Sequence, residues 1–175
     1  MSWCKDGCSS MNIFYLSDCP EQSAKYHCDK HVVKMILETA QLLSTAHRVL
    51  DGDEFADTGG LYKTVHKNHP SAKWVRASGT NYKWALNLFR YLNKEYVRRY
   101  KKTHKSFTLM QMLAVLPRNI PFARFVEPPQ CMPDHYKHDN TIIAYRNYYK
   151  GDKRRFAKWS YSDKPSWWTE LSYDY

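Results

Sequence analysis

"KYHCDKHVVKMILETAQLLSTAHRVL", residues 25–50, places His27, Cys28, Asp29 and His31 within five positions and then runs on with helical periodicity. Wound at 3.6 residues per turn, Val32, Met35, Ile36, Leu42, Leu43, Ala46 and Leu50 share one broad face. Val33, Leu37 and Ala40 widen that face, so the helix is expected to be buried on most sides. A narrow polar stripe remains: His27, His31, Lys34, Glu38, Gln41, Thr45 and Arg48. Such a stripe suits the edge of a cleft. The plain alternative is that Lys34 and Glu38 form an i,i+4 pair worth a few tenths of a kcal/mol and nothing more.

Outward from this stretch the pattern stays helical. "MNIFYL" at 11–16 reads as a short strand or extended start. Ser17 or Asp18 is placed to cap a helix whose first turn holds Pro20, and one helix is expected from about Ser23 to Leu50, closed by Asp51-Gly52. Residues 51–60 read as an acidic, glycine-rich loop. Pro70 opens a further helix, Gly79 marks a break or kink, and Trp84, Leu88, Tyr91 or Leu92, and Tyr96 or Val97 recur at helical spacing beyond it. "FTLMQMLAV" reads as a short helix ending at Pro117. The five prolines of "LPRNIPFARFVEPPQCMPD", residues 116–134, preclude regular structure there. A last helix is expected over residues 140–159. The expected fold is mainly α, a single-domain helical bundle with a short extended N-terminal segment and a long proline-rich connection. Residues 1–10 read as an N-terminal extension, free to move, and 11–175 as the domain, with Met11 able to serve as an initiator.

At 175 residues the chain is long enough to bury about 70% of its unfolded surface. Its 27 Lys and Arg against 17 Asp and Glu give a net charge of +10, and 15% of residues are aromatic. Excess positive charge draws polyanions, and aromatic rings among the cations offer stacking surfaces for bases. Double-stranded DNA is the expected partner, with no membrane and no obligate protein partner. No apolar run reaches membrane-spanning length, and the first ten residues lack the apolar core of a secretory signal. Five cysteines without a regular framework suit reduced thiols, as in a host cytoplasm.

The chemistry-bearing residues divide by spacing. His27 and His31 at i,i+4 could face one ion, with His66/His69 and His135/His138 as further pairs. Lys30 and Lys34 would repel a cation there, however, and no companion glutamate follows; no metal and no cofactor is expected. Cys28 lies in line with Val32 and Met35 and reads as a core residue, not a nucleophile. Two basic, aromatic-laced stretches stand out. "KEYVRRYKKTHK" holds Arg98, Arg99, Lys101 and Lys102; "YRNYYKGDKRRFAKW" holds Arg146, Lys153, Arg154, Arg155 and Lys158. Two such helices could wall a phosphate-lined groove. Neither carries a base-reading motif.

The strings "YHCDKHVVKMILETAQLLSTAHRVL", "HKNHPSAKWVR", "PPQCMPDHYK" and "AYRNYYKGDKRRFAKW" resemble a family of proteins common in tailed-phage genomes, which implies an origin but no activity. A second resemblance is to the phage-type pyrimidine-dimer DNA glycosylases with AP-lyase activity, of the endonuclease V type. Ser17, Asp18, Glu21 and Gln22 match that family's serine–acid–x–x–acid–glutamine run in order. Tyr26, His27 and Asp29 are similar to its tyrosine–basic–acidic motif, with Cys28 as an insertion, and "RRFAKWSYSDKPSWW" is similar to its basic helix and proline–aromatic end. The resemblance implies amine attack on sugar C1′, a Schiff base and β-elimination. It assigns the carboxylate role to Asp29, with Glu38 as the fallback. His27, Lys30, His31 and Lys34 would contact phosphates, and Arg146, Arg154 and Arg155 would steer the duplex. Trp74, Trp84, Trp167 and Trp168 would stack on an extruded base. The family's nucleophile is the α-amine of a small residue freed by methionine removal. Asn12 follows Met11 here, so a lysine, Lys30 or Lys34, would have to replace it. Alternatives are a base-modifying enzyme of phage DNA, a non-catalytic DNA-binding accessory protein, and a metal-dependent nuclease.

Overall fold

The computed structural model describes residues 12–168. The expectation of a separate extension over residues 1–10 lies outside the described residues. Seven α-helices form one mainly helical bundle with no strand among the described residues. They are α1 (Pro20–Tyr26), α2 (Asp29–Asp51), α3 (Glu54–Thr58), α4 (Pro70–Ala77), α5 (Gly79–Tyr100), α6 (Met110–Leu113) and α7 (Thr141–Gly151). No described helix is long and apolar enough to cross a membrane. Residues 12–16 are extended and buried: Ile13, Phe14, Tyr15 and Leu16 enter the core, so the N-terminal segment is a structural strut.

Helix α2 is the central element, packed against α5 and α4. Val32, Ile36, Leu42 and Leu43 are fully buried together with Phe89 and Leu92 of α5. The ends obey local chemistry. Gly52 closes α2 at φ 79°, a conformation that a Cβ disfavours. Pro70 sits in the first turn of α4, capped by the His69 ring, which accepts from the Ser71 N–H at 3.1 Å. Ser78 separates α4 from α5 and caps α5 by accepting from Asn81 N–H.

Two expectations fail for tertiary reasons. The helix expected from Ser23 to Leu50 is broken at His27–Cys28, both extended. A break leaves backbone groups without helical partners, and distant residues supply them here. Arg99 donates to the carbonyls of Lys25 and His27, at 3.1 and 2.8 Å. Tyr149 Oη accepts from Cys28 N–H, and the Lys158 carbonyl accepts from Asp29 N–H at 2.8 Å. The last helix stops at Gly151, not at residue 159, and residues 152–168 are turns and irregular chain. At that end a Cβ at Gly151 would overlap the Tyr136 ring, whose hydroxyl donates to Asp152 Oδ1 at 2.7 Å. The 51–60 loop also contains a short helix, α3.

Candidate functional site

Three segments meet at the first residue of α2. The Asp29 carboxylate takes Arg99 Nη1 of α5 at 3.2 Å on one oxygen and the Ser160 N–H at 2.7 Å on the other. Tyr100 Oη donates to the Asp29 carbonyl at 3.2 Å. Arg99 is fully enclosed, and its Nε also meets Glu95 Oε2 at 3.0 Å. Asp29 thus has both oxygens committed: in this geometry it is a latch between α2, α5 and the C-terminal segment. Arg99 likewise spends its donors internally and presents none to a phosphate. That burial was readable, because Leu88, Leu92, Tyr96 and Arg99 follow one face at steps of four, four and three.

Behind the latch lies a cluster of titratable groups. His27 has no exposed surface; its Nδ1–H donates to the Ser23 carbonyl at 2.6 Å, leaving Nε2 without a partner among the described residues. Burial pushes this imidazole down to about 4, so it is neutral at pH 7. His31 Nδ1 lies 2.7 Å from Tyr149 Oη, and its ring lies against Phe14 and Phe156. It too is pushed well down, first by burial and then by the fields of His27, Lys153, Lys34 and Lys30. Lys153 is buried, its Nζ 3.3 Å from Tyr148 Oη and over that ring. His27, His31 and Lys153 therefore line the interior and do not form a phosphate-contacting surface.

Glu38 closes the cluster. Its side chain is 6% exposed, while that of Lys34, one turn earlier, is 38% exposed; Lys34 Nζ and Glu38 Oε1 are 3.7 Å apart. Burial lifts the Glu38 carboxyl to about 7 despite the opposing pull of Lys34 and Lys153. Its Oε2 has no hydrogen-bond partner among the described residues. The rest of the polar stripe is spent on structure. Thr45 Oγ1 accepts from Val65 N–H at 3.2 Å, and Arg48 holds Asp53, Asp57 and the carbonyls of Leu61 and Tyr62.

The outer side of the latch is different. Lys30 Nζ stands 4.7 Å from the centroid of Phe156, with Arg155 at 5.5 Å from the same ring. Arg146 lies 5.5 Å from the Tyr26 ring and 5.3 Å from that of Trp167, and donates to the Leu16 carbonyl at 3.0 Å. Arg154 lies over Trp168 at 5.3 Å. Arg98 reaches Tyr161 O at 3.1 Å, while Lys101, Lys102 and Lys158 are exposed. Cations from α2, α5, α7 and the following segment thus gather around one node, interleaved with rings. A cleft of about 640 Å³ opens beside it, walled by Gln22, Tyr26, Arg98, Tyr161 and Lys164. Trp167 and Trp168 are partly exposed at this face. Trp74 and Trp84 are not: both are buried, donating to Val126 O at 2.7 Å and Asp18 O at 2.9 Å, and they belong to the core.

With this geometry in hand, the chain can be compared with known proteins. A model of the pyrimidine dimer DNA glycosylase family matches residues 11–108. The chain belongs to that family. The matched part of this pyrimidine dimer DNA glycosylase family member runs from the buried N-terminal strut through α5 and includes Asp29, Lys30, Lys34, Glu38 and Arg99. It stops before the proline-rich connection, α7 and the tryptophan-bearing end. No curated protein and no solved structure matches the chain.

Proposed function

We propose that this protein binds damaged duplex DNA across the cation–aromatic face. One helical turn along α2 from Lys30 of that face, it acts as a DNA glycosylase with AP-lyase chemistry, with Lys34 as the attacking amine and Glu38 as the proton-transfer group. Family membership supports DNA processing. The observation that carries the finer reading is the Lys34–Glu38 pair: a solvent-reachable amine 3.7 Å from a buried carboxyl lifted to about 7. An acid that changes protonation near neutrality is suited to give and take a proton within one turnover.

In this reading the lone pair of Lys34 Nζ attacks C1′ and the bond from C1′ to the base breaks, the departing base taking a proton from the newly alkylated amine. Protonated Glu38 assists the opening of the sugar ring by giving its proton to the ring oxygen, which produces an imine. The resulting carboxylate then accepts a proton from C2′ as the C3′–O bond breaks, and water hydrolyses the imine to release Lys34. Asp29 positions α2 against α5 instead of taking part in these transfers. Lys30, Arg146, Arg154, Arg155 and Lys158 meet the backbone, and Trp167 and Trp168 support the displaced nucleotide by stacking.

The test is reduction with borohydride during incubation with duplex DNA carrying one abasic site. The wild-type protein should form a covalent adduct and nick unreduced DNA; Lys34→Ala should do neither, and Glu38→Gln should nick more slowly. Normal DNA binding without any adduct would instead assign the chain to a non-catalytic accessory role.

A further inference from the structure

The proline-rich connection lies outside the family match and outside both basic stretches, yet it carries the most exposed large apolar side chain of the described residues. Phe122 is completely exposed, and Val126, at 62%, and Phe125, at 37%, follow it. The segment is not slack. Gly79 N–H donates to the Pro121 carbonyl at 2.9 Å and Thr80 Oγ1 to the Ala123 carbonyl at 2.8 Å. Val126 is held twice: its N–H meets Asn81 Oδ1 at 3.1 Å and its carbonyl takes the Trp74 indole N–H at 2.7 Å. Phe125 turns inward against Tyr15, Trp74 and Trp84. Phe122 and Arg124, two positions apart in this pinned segment, are both exposed.

What faces out is a phenyl ring followed at i+2 by the Arg124 guanidinium, with exposed Arg118 four residues before. No ion pair occupies either arginine among the described residues. A flat ring beside unneutralised guanidinium groups is complementary to a base with its phosphate: the ring stacks and the cation takes the charge. The backbone is pinned before any partner arrives, so little ordering cost attends the contact.

We infer that the strap 118–126 is a second DNA contact, in which Phe122 stacks on a base or enters a weakened base step while Arg124 holds the adjoining phosphate. This inference rests on the DNA-binding reading above but uses none of its residues. Phe122 packs on nothing, so replacing it leaves the fold intact.

The probes are two fluorescein-labelled duplexes of one sequence, intact or with a single abasic site, titrated at several salt concentrations. Phe122→Ala should weaken binding to the abasic duplex roughly tenfold with an unchanged salt slope, and Phe122→Trp should restore it with quenching of the new indole by DNA. Arg124→Ala should lower the slope by about one. Equal binding by wild type and Phe122→Ala overturns this inference alone; failure of the wild type to bind either duplex overturns it together with the DNA reading. Rescue by Phe122→Leu as complete as by Phe122→Trp, or a self-association that Phe122→Ala abolishes while DNA binding is unchanged, would show an apolar protein-docking residue and also overturn it.

Discussion

Each end of α2 is held by one buried arginine, and the two are built differently. At the start, Arg99 sits between Asp29 and Glu95, whose side chains are 13% and 6% exposed. At the finish, Arg48 pairs with Asp53 and Asp57, which are 69% and 54% exposed. The first is sealed, and its neighbours outside are cations and aromatic rings. The second opens on the acidic residues 51–58. An arginine whose partners are enclosed leaves uncompensated charge when removed; one whose partners meet water leaves them hydrated. The difference separates a latch under a cation–aromatic face from a clamp on a loop.

The sharpest consequence is in stability. Arg99→Ala should cost about 3–5 kcal/mol in urea unfolding, because two helix-end carbonyls lose their donor and the enclosed Asp29 and Glu95 carboxylates keep only the Ser160 N–H and Arg98. Arg48→Ala should cost less, about 1–3 kcal/mol, mostly from the carbonyls of Leu61 and Tyr62. Equal losses would erase the distinction between the two ends.

Titration sharpens it further, since Glu38 lies in the first half of α2 and His27 just before its start, both near the latch. Folding raises the Glu38 carboxyl from 4.5 to about 7, so its favourable contribution is complete below 4.5 and is lost as pH climbs toward 7. Folding lowers His27 from 6.5 to about 4, so its contribution is complete above 6.5 and is lost as pH falls toward 4. The windows overlap with opposite sign and mask one another in the wild type. Glu38→Gln should therefore gain stability relative to wild type as pH rises through 4.5–7, by up to about 3 kcal/mol. His27→Gln should gain relative to wild type as pH falls through 6.5–4. Urea midpoints at pH 4.5, 5.5, 6.5 and 7.5 measure both; parallel curves would contradict the assignments.

The smallest effects belong to the exposed cations. Lys101→Ala and Lys102→Ala should leave stability within about 0.5 kcal/mol of wild type. Each should lower the salt slope of DNA binding by about one.

Much of this was legible from residue order. The helical class, Pro70 opening α4, Asp51-Gly52 closing α2, the burial of Cys28 and the Lys34–Glu38 pair all follow from local propensity and spacing. What escaped is what distant residues decide. The break at His27–Cys28 exists because Arg99 and Lys158 lie far along the chain and satisfy the freed backbone. The polar stripe looked like a cleft edge because sequence does not say whether a histidine or arginine is wet. His31 and Arg48 found partners indoors, whereas Lys34 reached water. Trp74 and Trp84 read as stacking rings for the same reason, while the prolines of residues 116–134 give no sign that Phe122 is exposed.

Lys34, poised over the buried Glu38 carboxyl, is proposed here as the group that joins DNA. Borohydride reduction with abasic duplex DNA, followed by protease digestion and peptide mass mapping, locates the attachment atom directly. A deoxyribose remnant is expected on the Lys34 side chain, absent in Lys34→Ala. A remnant on another amine, or none under conditions where the duplex is bound, would contradict it.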